Sequence, residues 1–213
     1  MSTDPTYAVI AQVGQIFVDQ LYEAISQVKD VKRKDVALTS PDDATGAHRV
    51  TVYLYEVTRN PHHLNADGRP AITVEDDGEN GENGGNEEPR GDPLVLDLHY
   101  LVTAHPAGSD QSEGAGEATT RTVNQHELIG LVMQAVHGNH ILRGVDLPGD
   151  FSGRELQVDV ESRPTNELTN IWSTFENEPY RPSVPYRVTP VVIEGKETPG
   201  AERVVDQQFR EYS

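Results

Sequence analysis

The segment Pro93 to Thr103 has a large apolar residue at every second position. Residues two apart share one face of a β-strand, so this spacing predicts a strand with one apolar face. Asp97 and His99 lie together on the opposite face. An apolar strand face must be covered by other elements, so the chain is expected to contain a sheet with a packed layer on it. The apolar face consists of Leu94, Leu96, Leu98, Tyr100 and Val102.

Helical patterns begin the chain and recur twice. Asp4 is a candidate N-cap, Pro5 a first helical residue, and apolar residues at helical spacing continue to about Val28. The same spacing predicts a second helix that Asn124 caps and Gly138 ends, and a third at 164–175. Further strands are predicted at 35–39, 48–57, 155–160 and 183–193. In the strand 48–57, large residues occupy both faces, which predicts that both are covered.

The last predicted strand is unusual because it is rich in proline. Pro182, Pro185 and Pro190 have no amide proton and cannot donate to a sheet ladder. Such a strand is expected at a sheet edge or with an irregular course.

The order of elements predicts an α+β fold, a mixed β-sheet flanked by helices, with no internal repeat. We expect a single domain over residues 1–194, followed by a polar tail at 195–213. The segment 75–92 contains eight carboxylates, five glycines and no apolar residue. It is predicted to be a flexible loop, and so is the small-residue segment 107–120.

Charge and composition exclude several functional classes. The chain has 213 residues, 35 Asp and Glu against 17 Lys and Arg, and a net charge of -18. This balance disfavours binding to nucleic acid or to an anionic membrane surface. High salt screens self-repulsion of this size, so we interpret the chain as an acidic protein of a halophile. The absence of cysteine excludes disulfides, thiol catalysis and cysteine-ligated metal.

Catalytic motifs are incomplete. The run 126–130, HELIG, lacks the second histidine of a zinc protease helix. His137 and His140 are three apart, but Gly138 lies between them at the predicted helix end and no third ligand is nearby. Asp97 and His99 could form an acid–base pair, yet the sequence contains no nucleophile motif. We therefore expect no enzyme activity, no metal and no cofactor.

Four stretches together resemble a known family. They are LYEVTRNPHHLN at 54–65, PLVLDLHYLVTAHP at 93–106, HELIGLVMQAVHGNHIL at 126–142 and LTNIWSTFENEPYRPSVPYRVTPVVI at 168–193. In order and spacing they are similar to the tail-terminator, or tube cap, proteins of phage-tail-like extracellular contractile injection systems. The resemblance covers about residues 4–194.

The resemblance implies a structural assembly protein with a phage tail-terminator-like fold. Members form a six-fold ring that closes the inner tube, stops its elongation and contacts the terminal sheath layer. The implied partners are further copies of the chain, the tube protein and the sheath protein. The implied location is the cytoplasm during assembly, and afterwards a particle released from the cell.

The candidate interface residues come from the strand-end motif of this resemblance. Arg59, Asn60, Asn65 and Arg69 match that motif and are expected at subunit or tube contacts. The alternative is a hydrogen-bonded loop that holds the end of the strand. The polar strand face with Asp97 and His99 is expected at a protein interface as well.

Two other functions stay open at this point. A receptor- or carbohydrate-binding module of the same particle would use exposed aromatic side chains at Tyr53 and Tyr55. A metal-dependent hydrolase would use Asp97 with His99, or His137 with His140. Protection of the two tyrosines in the folded protein would disfavour the binding module.

Overall fold

The computed structural model describes residues 8–43, 48–62, 91–106, 115–143, 155–176 and 178–195. Within these ranges the chain forms three α-helices and six β-strands. The helices are α1 (Val9–Ser26), α2 (Ala115–Gly138) and α3 (Thr165–Trp172). The strands are β1 (Val36–Leu38), β2 (Val50–Arg59), β3 (Gly91–Ala104), β4 (Ile141–Arg143), β5 (Glu155–Val160) and β6 (Ser183–Gly195).

The strands form one sheet in the order β1-β2-β3-β6-β5-β4. β1 runs parallel to β2, and each other neighbouring pair is antiparallel. The predicted mixed sheet is thus confirmed. β3 lies near its centre, and Leu98 and Leu101, which point to opposite faces, are both fully buried. The apolar strand predicted at 93–103 is therefore covered on both sides.

α1 and α2 cover one face of the sheet. Side chains of both helices join one core cluster with the apolar faces of β2, β3, β5 and β6. The ring of Phe17 on α1 packs edge-on against Tyr100 and Tyr186, with centroids 5.7 and 5.8 Å away. A β-carbon on Gly14 would lie 3.0 Å from Leu38 and 3.3 Å from the Tyr100 hydroxyl. Glycine here lets the helix lie close to the sheet.

α3 covers part of the other face. Trp172 and Phe175 pack with Leu101 in a second cluster. Tyr53 of β2 packs edge-on against Phe175 at 5.4 Å. Val50 and Val52 of the same strand belong to the α1/α2 core. The prediction that both faces of β2 are covered is therefore confirmed.

The prediction of an edge position for the proline-rich strand is wrong, although the strand is irregular as expected. β6 lies between β3 and β5. Opposite Leu96 and Leu98 of β3, the register of β6 shifts from Val191 to Val188, which places Pro190 in a bulge. The Pro185 carbonyl accepts from the Glu161 amide at 2.9 Å, so the nitrogen of Pro185 faces the end of β5, where no ladder donor is needed.

The second helix begins earlier than predicted. α2 starts at Ala115, so 115–120, predicted as loop, is helical and Asn124 lies within the helix instead of capping it. Residues 116 and 118–120 of the first turns are exposed. The sequence of these turns has no apolar stripe, which is why periodicity missed them. The hydroxyls of Thr120 and Thr122 donate to carbonyls four residues earlier. Residues 75–90, 107–114 and 196–213 of the predicted loops and tail lie outside the described residues.

Candidate functional site

A row of charged and polar residues crosses the sheet on its α3 face. Glu56 of β2 pairs with His99 of β3, His99 with Arg187 of β6, and Arg187 with Asp159 of β5. Arg187 and Asp159 also form an ion pair at 3.5 Å. The row follows from the period of two in each strand, which places one residue of each strand at the same level.

Arg163 lies in the loop between β5 and α3 and connects this loop to the polar row. Its guanidinium contacts Glu56 at 2.9 Å, Glu161 at 3.2 Å and Glu167 at 3.3 Å. Its Cζ lies 5.3 Å from the ring centroid of Tyr55, a cation–π geometry. One cation therefore serves three carboxylates and ties the start of α3 to β2.

His99 and Glu161 form the buried part of the network. Nδ1 of His99 lies 3.0 Å from the Glu161 carboxylate, which can only accept, so the proton is on Nδ1. On the other side of the ring, Nε2 lies 2.9 Å from the Thr58 hydroxyl. The Tyr55 hydroxyl donates to the same Glu161 oxygen at 3.1 Å.

This arrangement keeps Glu161 ionised. Burial alone would raise the pKa of the Glu161 carboxyl, but hydrogen bonds and charges from His99 and Arg163 outweigh burial and hold the pKa below its usual range. Burial, followed by the charge of Glu161, raises the pKa of the Tyr55 hydroxyl. The network is thus a set of charged and polar side chains that bind one another within the chain.

A second polar cluster holds the end of β2 against β6. The Asp97 carboxylate accepts from Asn60 at 2.7 Å and from the Thr189 hydroxyl at 2.5 Å. The side-chain oxygen Oδ1 of Asn60 accepts from the His62 backbone amide at 2.9 Å. Asp97 therefore joins the turn after β2 to the bulged part of β6.

The predicted interface residues differ in exposure. Arg59 is exposed at the end of β2. Asn60, Asp97 and His99 are only 7%, 5% and 6% exposed and bond within the chain. Their bonding matches the alternative of a loop that holds the strand end, and their role at an interface stays a prediction. Asn65 and Arg69 lie outside the described residues.

Sequence reasoning missed Glu161 and Arg163. They follow directly on β5 and precede the proline that starts α3, in the run ESRP at 161–164. Charged residues in a short strand-to-helix loop were the available signal. Their partners could not be inferred, because His99 is 62 residues from Glu161 in sequence.

The arrangement offers little for the two alternative functions. Asp97 and His99 bond to different partners and form no acid–base pair. Among the described residues, no group of three or more His, Cys, Asp or Glu side chains could hold a metal ion. Tyr53 and Tyr55 are partly buried and pack against the second cluster, which disfavours a carbohydrate-binding role.

The family comparison covers nearly the whole chain. Residues 12–207 match the Pvc16 N-terminal domain. The chain belongs to the Pvc16 N-terminal domain family. The resemblance to tail-terminator proteins is thus confirmed at the level of the family. A search of the curated proteins found no match.

Two solved structures share the fold of this chain. One is the sheath/tube terminator of PVC, an extracellular contractile injection system, in its extended state, with a TM-score of 0.51 and 16% identity. The other is the tube-terminating cap of the anti-feeding prophage, with a TM-score of 0.51 and 19% identity. The matches cover 100% and 94% of this chain, and 67% and 60% of those chains. They confirm the predicted α+β, terminator-like fold.

In the part of the chain that the structure describes, no helix is long and apolar enough to cross a membrane.

Proposed function

We propose that this chain caps and terminates the inner tube of a contractile injection system and contacts the terminal sheath layer as a ring. The observation that carries the proposal is the agreement of fold over at least 94% of the chain with two tube-terminating proteins, within a family that spans residues 12–207. The polar clusters around Asp97 and Glu161 support it, because they stabilise the fold and leave the surfaces to make contacts.

The proposal has several parts beyond the cap itself. The ring contains six copies of the chain, and the partners are the tube and sheath proteins, with no nucleic acid and no membrane. The chain is not an enzyme and needs no cofactor. It assembles in the cytoplasm of a halophile and then becomes part of an extracellular particle. The low content of basic residues, 17 against 35 acidic ones, supports the halophile assignment.

The first experiment is light scattering of the purified chain in molar salt, followed by negative-stain imaging. A ring of about six copies with a central opening is the expected result. Assembled tubes of the cognate tube protein are then added, and gold-labelled chain is expected at one tube end only. A chain that stays monomeric and does not bind tube ends would overturn the proposal.

A pair of charge variants tests the tube alternative of the predicted subunit or tube contact at the end of β2. Arg59 and Lys34 are both exposed, and Lys34 precedes β1, away from the end of β2. Arg59→Ala is expected to weaken binding to tube ends several-fold, while Lys34→Ala, with the same charge change, leaves it unchanged. Equal binding by both variants would exclude Arg59 from the contact.

A further inference from the structure

Two edges of the sheet are only partly paired in the described residues. β1 pairs with Val50–Val52, and no other described strand pairs with that side of β2. β4 pairs with Glu155–Gln157, and no described strand pairs with the outer side of β5 beyond it. Uncovered strand edges present backbone donors and acceptors that can pair with another chain.

The backbone directions identify which groups are available. The Asn60 amide donates to Val95 of β3, so by alternation the polar groups of Val57 and Arg59 point away from β3. On the opposite edge, the Val158 amide points outward to the His140 carbonyl at 2.7 Å. By the same alternation, the backbone amide and carbonyl of Val160 also point outward.

The two edges are complementary in shape. Val57, Leu98, Val188 and Val158 form one row across the sheet. β1 covers β2 on one side of this row, and β4 covers β5 on the other side. If a second copy extends the sheet, its β4 lies next to β2 of the first copy. It is then in line with β1 of the first copy, beyond the last residue of β1.

The strand directions agree with this placement. β5 runs antiparallel to β2 within the sheet. Three antiparallel pairings connect them, namely β2 with β3, β3 with β6, and β6 with β5. A second copy in the same orientation would therefore present β4 parallel to β2. β1 is also parallel to β2, so the two short strands run in one direction, end to end.

Exposed apolar side chains lie at the same two edges. Leu38 of β1, Val57 of β2 and Val160 of β5 are 41%, 44% and 53% exposed. The pairing partners of Val57 and Val160 and the contact of Leu38 with α1 place all three on the α1/α2 face. Joining the edges adds Val160 of one copy to the face that carries Leu38 and Val57 of the next, and this contact removes apolar surface from water.

From these observations we propose that copies of the chain join head to tail by sheet extension, with the β4–β5 edge of one copy on the β1–β2 edge of the next. This proposal rests on the proposed ring. The contact is heterologous, since two different edges meet, and repeating it generates a ring when the rotation between copies closes. Without a shift along the strands, Val57 lies opposite His140 of the next copy.

The charges at this junction fit assembly in high salt. Glu56 and Asp159 occupy the two ends of the polar row. Each is already paired with an arginine of its own copy, Glu56 with Arg163 and Asp159 with Arg187. Joining the edges places the two carboxylates about 10 Å apart, two strand spacings. The repulsion that remains between these pairs is strongly screened in molar salt and weakly screened at low salt.

Cysteine cross-linking tests the junction, since the chain contains no cysteine. Val57→Cys with His140→Cys places two thiols on directly opposed residues, within the Cα separation that a disulfide spans. Oxidation in molar salt is expected to give a ladder of covalent oligomers up to the full ring. The control pair Val123→Cys with His140→Cys, both exposed, is expected to give none.

The outcomes separate this junction from the proposed function. Val57→Lys is expected to shift the scattering mass from ring to monomer without lowering the melting temperature. Met133→Lys, at 43% exposure on α2, is expected to keep the ring. A ring that keeps its mass in Val57→Lys and gives no ladder would overturn the junction and leave the cap proposal standing. Absence of any ring in the unmodified chain, even on tube ends, would overturn both.

Discussion

Arg163 joins three carboxylates in the described structure. It contacts Glu56, Glu161 and Glu167, and its side chain is only 22% exposed. Without it, the partly buried Glu161 would keep its charge with one cationic partner fewer. The start of α3 would also lose its tie to β2.

Arg163→Gln is expected to lower the free energy of unfolding by about 1–3 kcal/mol, since it leaves a desolvated carboxylate poorly paired. Lys29→Gln is the matched control: Lys29 is similarly exposed at 26%, but its partner Glu127 is 50% exposed. The control should cost less than about 1 kcal/mol. Urea unfolding followed by Trp172 fluorescence measures both, and equal losses would contradict the role of Arg163.

His105 makes the fold sensitive to acid. Burial, followed by the charges of Arg181 and His48, lowers the pKa of His105 from 6.5 to about 4. The folded state therefore favours the neutral ring, which contacts the Thr51 hydroxyl at 2.9 Å. Below pH 6.5 the unfolded chain takes up a proton that the folded chain does not, so stability falls as the pH falls from 6.5 to 4.

This contribution to the free energy of unfolding amounts to about 3 kcal/mol once the pH reaches 4. His105→Gln keeps a hydrogen-bonding side chain and is expected to flatten the pH dependence between 6.5 and 4. His126→Gln, at an exposed position on α2, should leave it unchanged. Unfolding titrations at four pH values give the slopes, and identical slopes for the two variants would refute the assignment.

Among the elements, α1 contacts the two central strands through a single aromatic side chain. Phe17 is fully buried and packs on Tyr100 of β3 and Tyr186 of β6, the two central strands. Its ring therefore joins the first helix to strands that lie far along the chain. A cavity at this point would loosen the contact of α1 with the sheet.

Phe17→Ala is expected to lower the free energy of unfolding by about 3–5 kcal/mol, because it removes a buried ring and leaves a cavity. Gln15→Ala, two residues earlier on the exposed side of α1, should change it by less than about 0.5 kcal/mol. Both follow from urea titrations in the same salt. A loss below about 1 kcal/mol for Phe17→Ala would mean that α1 is not a main support of the sheet.

For the whole molecule, net charge sets the conditions of assembly. Six copies, each with a charge of -18, would carry -108 in one ring. The screening length is about 3 Å in 1 M salt and about 30 Å in 0.01 M salt, so repulsion between copies grows as salt is removed. Intact rings are thus expected only at high salt.

Light scattering across this salt range is expected to show a fall from ring mass to monomer mass. Trp172 fluorescence at each salt concentration separates dissociation from unfolding, because this residue is buried in the second cluster. A ring that is equally stable at both ends of the range would contradict the halophile assignment.

Local pattern determined much of this protein. A large residue at every second position predicted β3, and helical spacing predicted α1 and α3, because these periods depend only on backbone geometry. The order and spacing of four motifs also sufficed to indicate the family. Cover on both faces of β2 followed from its large residues on both faces.

Only the tertiary structure decided how these elements meet. The prolines of β6 suggested an edge, yet a bulge and the end of β5 accommodate them inside the sheet, which depends on residues far away in sequence. Asn60 and Asp97 became an internal clasp with Thr189, 129 and 92 residues away. Periodicity shows which face of one segment is apolar. A buried polar group, in contrast, must form a hydrogen bond with a partner that only the fold brings near.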